Sequence, residues 1–257
     1  MAKVISVGIQ KGGCGKSTTA SILVYQLSQK HKVLAVDMDG QGNLTQLLTG
    51  SEDIFEFGGT TVYDAILAED ATEYVLQINP NLHILSGDEN VNTLAPYFHV
   101  ELKNQGKEYH YALKNALDKI ADNYDYIIID NPPALGELSI ISLTASDYVL
   151  IMFETSKFCY SSLRSYLKTI EVVKDRVNGD LKIAGIVRNL IDGRRSDNKY
   201  YSNLVKKEYG ELCLDTVIKR SAIVGKLPAL GFKDNNDIKK IMKEYQPLIK
   251  ELMSNVI

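Results

Sequence analysis

The sequence predicts an α/β fold: a mostly parallel, twisted sheet with helices on both faces. Two observations carry this. Short apolar runs recur at residues 4–9, 32–36, 81–85, 124–129, 147–153, 181–190 and 213–218, each of a length suited to a buried strand. Between them lie helical stripes at 19–29, 60–68, 109–121, 158–177, 202–209 and from 235 to the end. No internal repeat and no low-complexity linker divides the 257 residues, so a single domain spanning 1–257 is expected.

The first strand runs directly into Lys11-Gly12-Gly13-Cys14-Gly15-Lys16-Ser17-Thr18, and a helix with apolar Ala20, Leu23, Val24 and Leu27 follows. Strand, glycine-rich turn and helix form the context of a phosphate-binding loop, which makes the fold class a P-loop NTPase. Glycines let successive N–H groups converge on one concavity, and the helix N-terminus adds partial positive charge. Lys16 supplies a full charge for β- and γ-phosphates, and Ser17 a hydroxyl for Mg²⁺. The usual pattern would place Gly where this chain has Gln10; instead an additional lysine, Lys11, heads the loop.

The second strand ends in Asp37-Met38-Asp39-Gly40-Gln41-Gly42-Asn43-Leu44-Thr45. Carboxylates at the C-terminal end of a parallel strand border the ligand crevice of such sheets. Asp39 is the candidate to serve Mg²⁺ through water or to position an attacking water. Residues 88–107 fit no element. The strand at 124–129 ends in Asp130, followed by Asn131-Pro132-Pro133. An aspartate in that place orients the water shell of Mg²⁺. The strand at 181–190 ends in Arg188-Asn189-Leu190, and residues 192–199 read as an arginine-rich polar loop. Lys219-Arg220-Ser221 follows the last strand. The terminal helix carries Ile238, Ile241, Met242, Tyr245, Leu248, Ile249 and Leu252 on one stripe, expected to pack on the sheet, with Pro247 interrupting it.

Composition narrows the classes. The net charge of −3 is divided unevenly: residues 181–257 carry 15 Lys and Arg against 9 Asp and Glu, the preceding residues 14 against 23. That asymmetry points to a basic face near the C-terminal third, suited to phosphate backbone. The three scattered cysteines, Cys14, Cys159 and Cys213, suggest neither a disulfide framework nor a zinc site, and the reducing cytoplasm is the expected compartment. The first strand begins too early for a signal peptide, and no apolar run is long enough to cross a bilayer.

With these motifs in place, the chain resembles the ParA family of DNA-partitioning ATPases, within the deviant Walker-A group that includes MinD and the nitrogenase iron protein. The resemblance rests on Lys11–Thr18, on the run from Asp37 to Thr45 and on Asp130-Asn131-Pro132-Pro133 with Leu135-Gly136. Asp192-Gly193-Arg194 and Thr216-Val217-Ile218-Lys219-Arg220 also match family landmarks. MinD-like proteins lack the Q-G-N-L-T form of the second motif. The iron protein needs cluster-ligating cysteines in mid-chain, and none lies between Cys14 and Cys159.

The resemblance implies specific roles. Lys11 reaches the partner's nucleotide in an ATP-bound homodimer. Gly12, Gly13, Cys14, Gly15, Lys16, Ser17 and Thr18 hold ATP; Ser17, Asp39 and Asp130 serve Mg²⁺; and Lys11, Lys16 and Asp39 carry hydrolysis. Asn189, Lys219 and Ser221 are expected nucleotide contacts, although the family's P-R-N run is replaced here by Lys219-Arg220-Ser221. Arg194, Arg195, Lys219 and Arg220 are expected to bind duplex DNA non-specifically. The family's N-terminal helix-turn-helix region does not precede the loop. The implied protein is a cytoplasmic, nucleoid-associated ATPase without stable membrane insertion. A ParB-like centromere-binding protein stimulates its hydrolysis to segregate a plasmid or chromosome. Three rivals share the loop: a MinD-like membrane switch, a dethiobiotin-synthetase-like ligase and a scaffold positioning protein cargo.

Overall fold

The computed structural model describes residues 1–98, 100, 108–192, 194–233 and 235–256. Its elements follow in the order β1 (Lys3–Gly8), α1 (Lys16–Leu27), β2 (Val33–Asp37), α2 (Asn43–Thr49), α3 (Val62–Ala68), β3 (Leu76–Asn79), β4 (Leu82–Leu85), α4 (Leu94–Tyr97), α5 (Ala112–Asp118), β5 (Tyr126–Asp130), α6 (Glu137–Thr144), β6 (Tyr148–Glu154), α7 (Lys157–Arg176), β7 (Lys182–Ile191), α8 (Ser196–Tyr209), β8 (Cys213–Lys219), α9 (Leu227–Leu230) and α10 (Asn236–Asn255). The strands form one sheet in the order β3-β4-β2-β5-β1-β6-β7-β8. Every neighbouring pair is parallel except β3 with β4. This is the mostly parallel P-loop NTPase sheet that the sequence predicts.

Alternation along each strand feeds two cores. In β5, Ile128 packs into the layer that holds Leu23 of α1, Leu163 of α7 and Leu248 of α10. Its neighbours Ile127 and Ile129 face the opposite layer, with Ile66 of α3, Leu113 of α5 and Ile141 of α6. All five residues of β2 are buried, as a strand covered on both faces requires. Helix starts are fixed locally. The Ser156 hydroxyl accepts from Cys159 N at the head of α7, and Asn235 Oδ1 accepts from Ile238 N at the head of α10. Thr61 and Asp64 close a capping box on α3.

The structure departs from the sequence reading in several places. The antiparallel edge strand β3 and helix α6 were not expected. Residues 196–199, read as loop, form the first turn of α8. The stripe at 109–121 resolves into α5 flanked by 3₁₀ turns at Tyr109–Tyr111 and Ala121–Asn123. Of the unassigned stretch 88–107, a 3₁₀ turn at Glu89–Thr93 and α4 are described, whereas residues 99 and 101–107 lie outside the described residues, as do Gly193, Asp234 and Ile257.

Pro247 does not interrupt the terminal helix: α10 continues through it for 20 residues. Proline removes the N–H that would bond the carbonyl of Lys243. Both residues lie on the exposed side, where solvent is able to satisfy that carbonyl. The opposite stripe, Ile238, Ile241, Tyr245, Leu248, Ile249 and Leu252, is buried, as expected. No helix among the described residues is long and apolar enough to cross a membrane. Leu248→Ala should cost about 2–5 kcal/mol of folding stability, because it opens a cavity between α10 and the sheet. Urea denaturation checks this, and an unchanged midpoint would show that α10 is not docked.

Candidate active site

The loop between β1 and α1 turns because Gly13 and Gly15 take φ values of 73° and 79°. At Gly15 a side chain is also excluded by space, since a Cβ there would lie 2.6 Å from Asn189 Nδ2. The loop floors a cleft of about 850 Å³ at the C-terminal edge of the sheet. Gly12 to Thr18 line it on one side, Asp39, Gln41 and Asn43 on another, with Pro133 and the Pro228–Ala229 corner closing the rim. Lys16 is nearly buried, and its ammonium donates to the Lys11 carbonyl at 3.0 Å, folding the side chain back over the loop.

Two aspartates stand side by side behind the loop. Asp37 ends β2, Asp130 ends β5, and they are register partners on adjacent strands. Both are fully buried. Asp37 accepts from Thr45 N and Thr45 Oγ1, each at 2.8 Å, and from Asp39 N at 3.2 Å. Burial nevertheless pushes its carboxyl up to about 6. Asp130 has no hydrogen-bond partner on either carboxylate oxygen. Burial first, then the Asp37 charge, hold it well above the ordinary carboxylate range, while the Ser17 hydroxyl and the Lys16 ammonium act in the opposite direction. Asp39 accepts from Gln41 N at 3.1 Å and reaches the cleft.

An orphaned, buried carboxylate beside a hydroxyl is a hard-oxygen donor set that fits Mg²⁺. Among the described residues, no group of three or more His, Cys, Asp or Glu would hold a metal unaided. That also fits Mg²⁺, which binds through one or two carboxylates together with substrate phosphates.

Lys11 does not line its own chain's cleft. Its ammonium forms an ion pair with Glu154 and donates to Ser156 Oγ at 3.1 Å. Burial opposes the charge, but the hydrogen bond and charge of Glu154 outweigh it and raise the Lys11 pKa. Asn189 Nδ2 donates to the Cys14 carbonyl at 2.8 Å, bracing the loop, and its buried Oδ1 has no partner.

The remaining expected residues lie outside the cleft. Lys219 and Ser221 do not line it, and Ser221 Oγ faces Glu244 Oε1 at 3.4 Å. Arg194 pairs with Asp192 and Arg195 with Asp197. Arg220 is 60% exposed and lies 4.0 Å from Glu154.

Five residues escaped the sequence reading of the site: Asp37 and Thr45 as the inner brace, Glu154 as the Lys11 partner, and Pro228 and Ala229 at the rim. Asp37 carried a signal, being a strand-end carboxylate, but the exposed member of the Asp37–Asp39 pair drew the assignment. Thr45 closes the motif run that begins at Asp37, but nothing in the local sequence marks the other three.

A family model described as an AAA domain matches residues 2–183. The sporulation initiation inhibitor protein Soj of Bacillus subtilis is 36% identical over 241 residues, covering 90% of this chain and 89% of that one. The chromosome partitioning protein ParA of Myxococcus xanthus is 32% identical over 240 residues, covering 90% and 80%. Among solved structures, cobyrinic acid a,c-diamide synthase from Mycobacterium smegmatis, with bound ADP and magnesium, is 27% identical with a TM-score of 0.76, covering 96% of each chain.

The inner brace is testable without ligand. The Thr45 hydroxyl donates to Asp37 and accepts from Gly87 N at 2.9 Å. Thr45→Val keeps the volume and removes both bonds, and should cost about 1–3 kcal/mol. Thr45→Ser should recover most of it. Chemical denaturation of the three proteins decides, and equal midpoints for Val and Thr would refute the brace.

Proposed function

The chain belongs to the ParA family of partition ATPases, and from that premise we propose that it is an ATP-driven DNA-partition switch. Two copies close on ATP and bind duplex DNA without sequence preference. A ParB-like centromere-binding protein stimulates hydrolysis, and repeated cycles on the nucleoid move a plasmid or chromosome. The observation that carries this reading is the division of labour between the two loop lysines. Lys16 folds over its own cleft, whereas Lys11 points away from it onto Glu154 and Ser156 at the start of α7, where a second copy's nucleotide would meet it.

The chemistry is phosphoryl transfer to water, in which positioning and charge stabilisation supply most of the acceleration. The loop amides and Lys16 hold the phosphates. Asp39, on the opposite wall of the cleft, aligns the attacking water. Mg²⁺, held by Ser17 with Asp130 and Asp39, would neutralise charge on the β- and γ-phosphate oxygens. Asn189 keeps the loop carbonyl at Cys14 turned away from the phosphates.

DNA contact is assigned to Lys219, the last residue of β8, and Arg220, which follows it on the basic C-terminal third, with Arg194 and Arg195 beside α8. A MinD-like membrane role would need the apolar stripe of α10, which is buried against the sheet.

Lys16→Ala should reduce ATP affinity at least a hundredfold in equilibrium titration, and wild-type affinity in that variant would contradict the site. Binding to arbitrary duplex DNA should require ATP, fail with ADP, and weaken steeply as salt rises, because phosphate contacts release counterions. Arg220→Ala should keep ATP hydrolysis and lose DNA affinity at least tenfold. DNA binding that ignores nucleotide, or none at all, would remove DNA as the matrix.

A further inference from the structure

We propose that Cys14 and Cys159 form a reversible disulfide that takes the phosphate loop out of its ATP-binding shape. Cys14 sits within the loop, between the two glycines of positive φ, and Cys159 in the first turn of α7. They are 145 residues apart in sequence, yet their sulfurs lie 3.7 Å from each other, and both side chains are fully buried. A disulfide needs an S–S separation of about 2 Å, so closure draws the sulfurs together by roughly 1.7 Å. Thiol pairs of this kind in proteins of a reducing compartment are typically transient and redox-sensing.

The environment makes the two sulfurs unequal. The hydrogen bond from Cys159 lowers the Cys14 pKa against the opposing effect of burial, and the nearby Lys11 and Lys16 charges lower it further. The Cys159 thiol is pushed up by the same contact and by burial. Cys14 is therefore the attacking thiolate and Cys159 the resolving thiol. The oxidant is a small peroxide, which has to reach the buried Cys14 sulfur through the floor of the nucleotide cleft that Cys14 lines. The Cys14 sulfur attacks one peroxide oxygen, the O–O bond breaks, and with hydrogen peroxide the leaving hydroxide departs as water after taking a proton. The Cys159 sulfur then displaces the hydroxyl from the Cys14 sulfenic acid, and a second water leaves with the Cys159 proton. Two thiols and one peroxide yield one disulfide and two waters.

The effect on ATP rests on the nucleotide-loop reading above. Drawing Cys14 toward α7 pulls on the peptide that Asn189 braces, and disturbs the convergence of amides around Gly13 and Gly15 on which phosphate binding depends. The third cysteine, Cys213, lies on β8 and takes no part.

The test uses the full chain, reduced and then treated with hydrogen peroxide. Peptide mass mapping without reductant should show Cys14 joined to Cys159. Titration with a fluorescent ATP analogue should show affinity falling at least tenfold and returning with dithiothreitol. Cys159→Ser should bind the analogue normally when reduced and retain it after peroxide, while Cys213→Ala should respond like the wild type. A map without this link, or a linked protein that still binds ATP, overturns the proposal. So does a Cys159→Ser variant that loses affinity as fully as the wild type, because oxidation of Cys14 alone would then be the cause. A reduced protein that binds no ATP would sink the nucleotide reading and the ATP half of the proposal; the mass map needs no nucleotide and decides the sulfur chemistry separately.

Discussion

Asp37 and Asp130 are held side by side in the interior, and much of the site follows from that. Burial makes both carboxylates costly to ionise, and the Asp37 charge raises the cost at Asp130 further. Asp37 is satisfied by Thr45 and by the backbone of Asp39, which ties the end of β2 to the start of α2. Asp130 is not satisfied by hydrogen bonds at all. An unpaired buried acid is tolerated where positive charge arrives from elsewhere. In the proposed reaction the sources would be the Lys16 ammonium, the loop amides and a divalent cation accompanying phosphates. The sheet order makes this possible. β5 lies between β2 and β1, so the two acids and the phosphate loop emerge at neighbouring strand ends on one edge.

Most of that arrangement was legible in the sequence where the physics is local. The central strands are continuous apolar runs because both faces are covered, and their ends are marked by Gly or Asp. The loop announces itself through glycine spacing and two lysines. The terminal helix shows a clean stripe because one face meets the sheet and the other meets water. Where those contrasts vanish, the sequence falls silent. Helix α6 has no polar face to display: Ser139, Ile141, Ser142, Leu143 and Thr144 are all buried. Its hydroxyls bond back into the helix, Ser142 to the Leu138 carbonyl and Thr144 to that of Ile140. Strand β3 is short and only half-buried at the antiparallel edge, so neither alternation nor a continuous run appears. The first turn of α8 looks like a loop because its charged and amide side chains serve local bonds. Asp197, for example, accepts from Arg195 two residues before it, and Asn198 accepts from Asp192 N.

The site residues divide along the same line. Those proposed to act through their own chemistry, Lys16, Ser17, Asp39 and Asp130, stand in recognisable spacing. Those that act by holding another residue, Thr45, Glu154 and Asn189 as the loop brace, are defined by tertiary distance, and no spacing encodes it. Lys219 and Ser221 illustrate the converse. The family resemblance suggests the nucleotide for both, and neither lines the cleft, whose rim on this side is formed by Pro228 and Ala229.

Glu154 connects the two halves of the proposed switch. It is the residue at which β6 ends, and it holds Lys11 while lying 4.0 Å from Arg220. A single carboxylate cannot neutralise two cations as fully as one. While Lys11 occupies it, Arg220 remains the more distant and more exposed partner. Any change in the position of Lys11 changes the charge that Arg220 faces at Glu154. The electrostatics of the arginine assigned to DNA therefore depend on where Lys11 is. This dependence runs through one side chain rather than through a distributed rearrangement. A lysine proposed to meet nucleotide and an arginine proposed to meet DNA, sharing one acid, have a direct physical route for each to register the other's state.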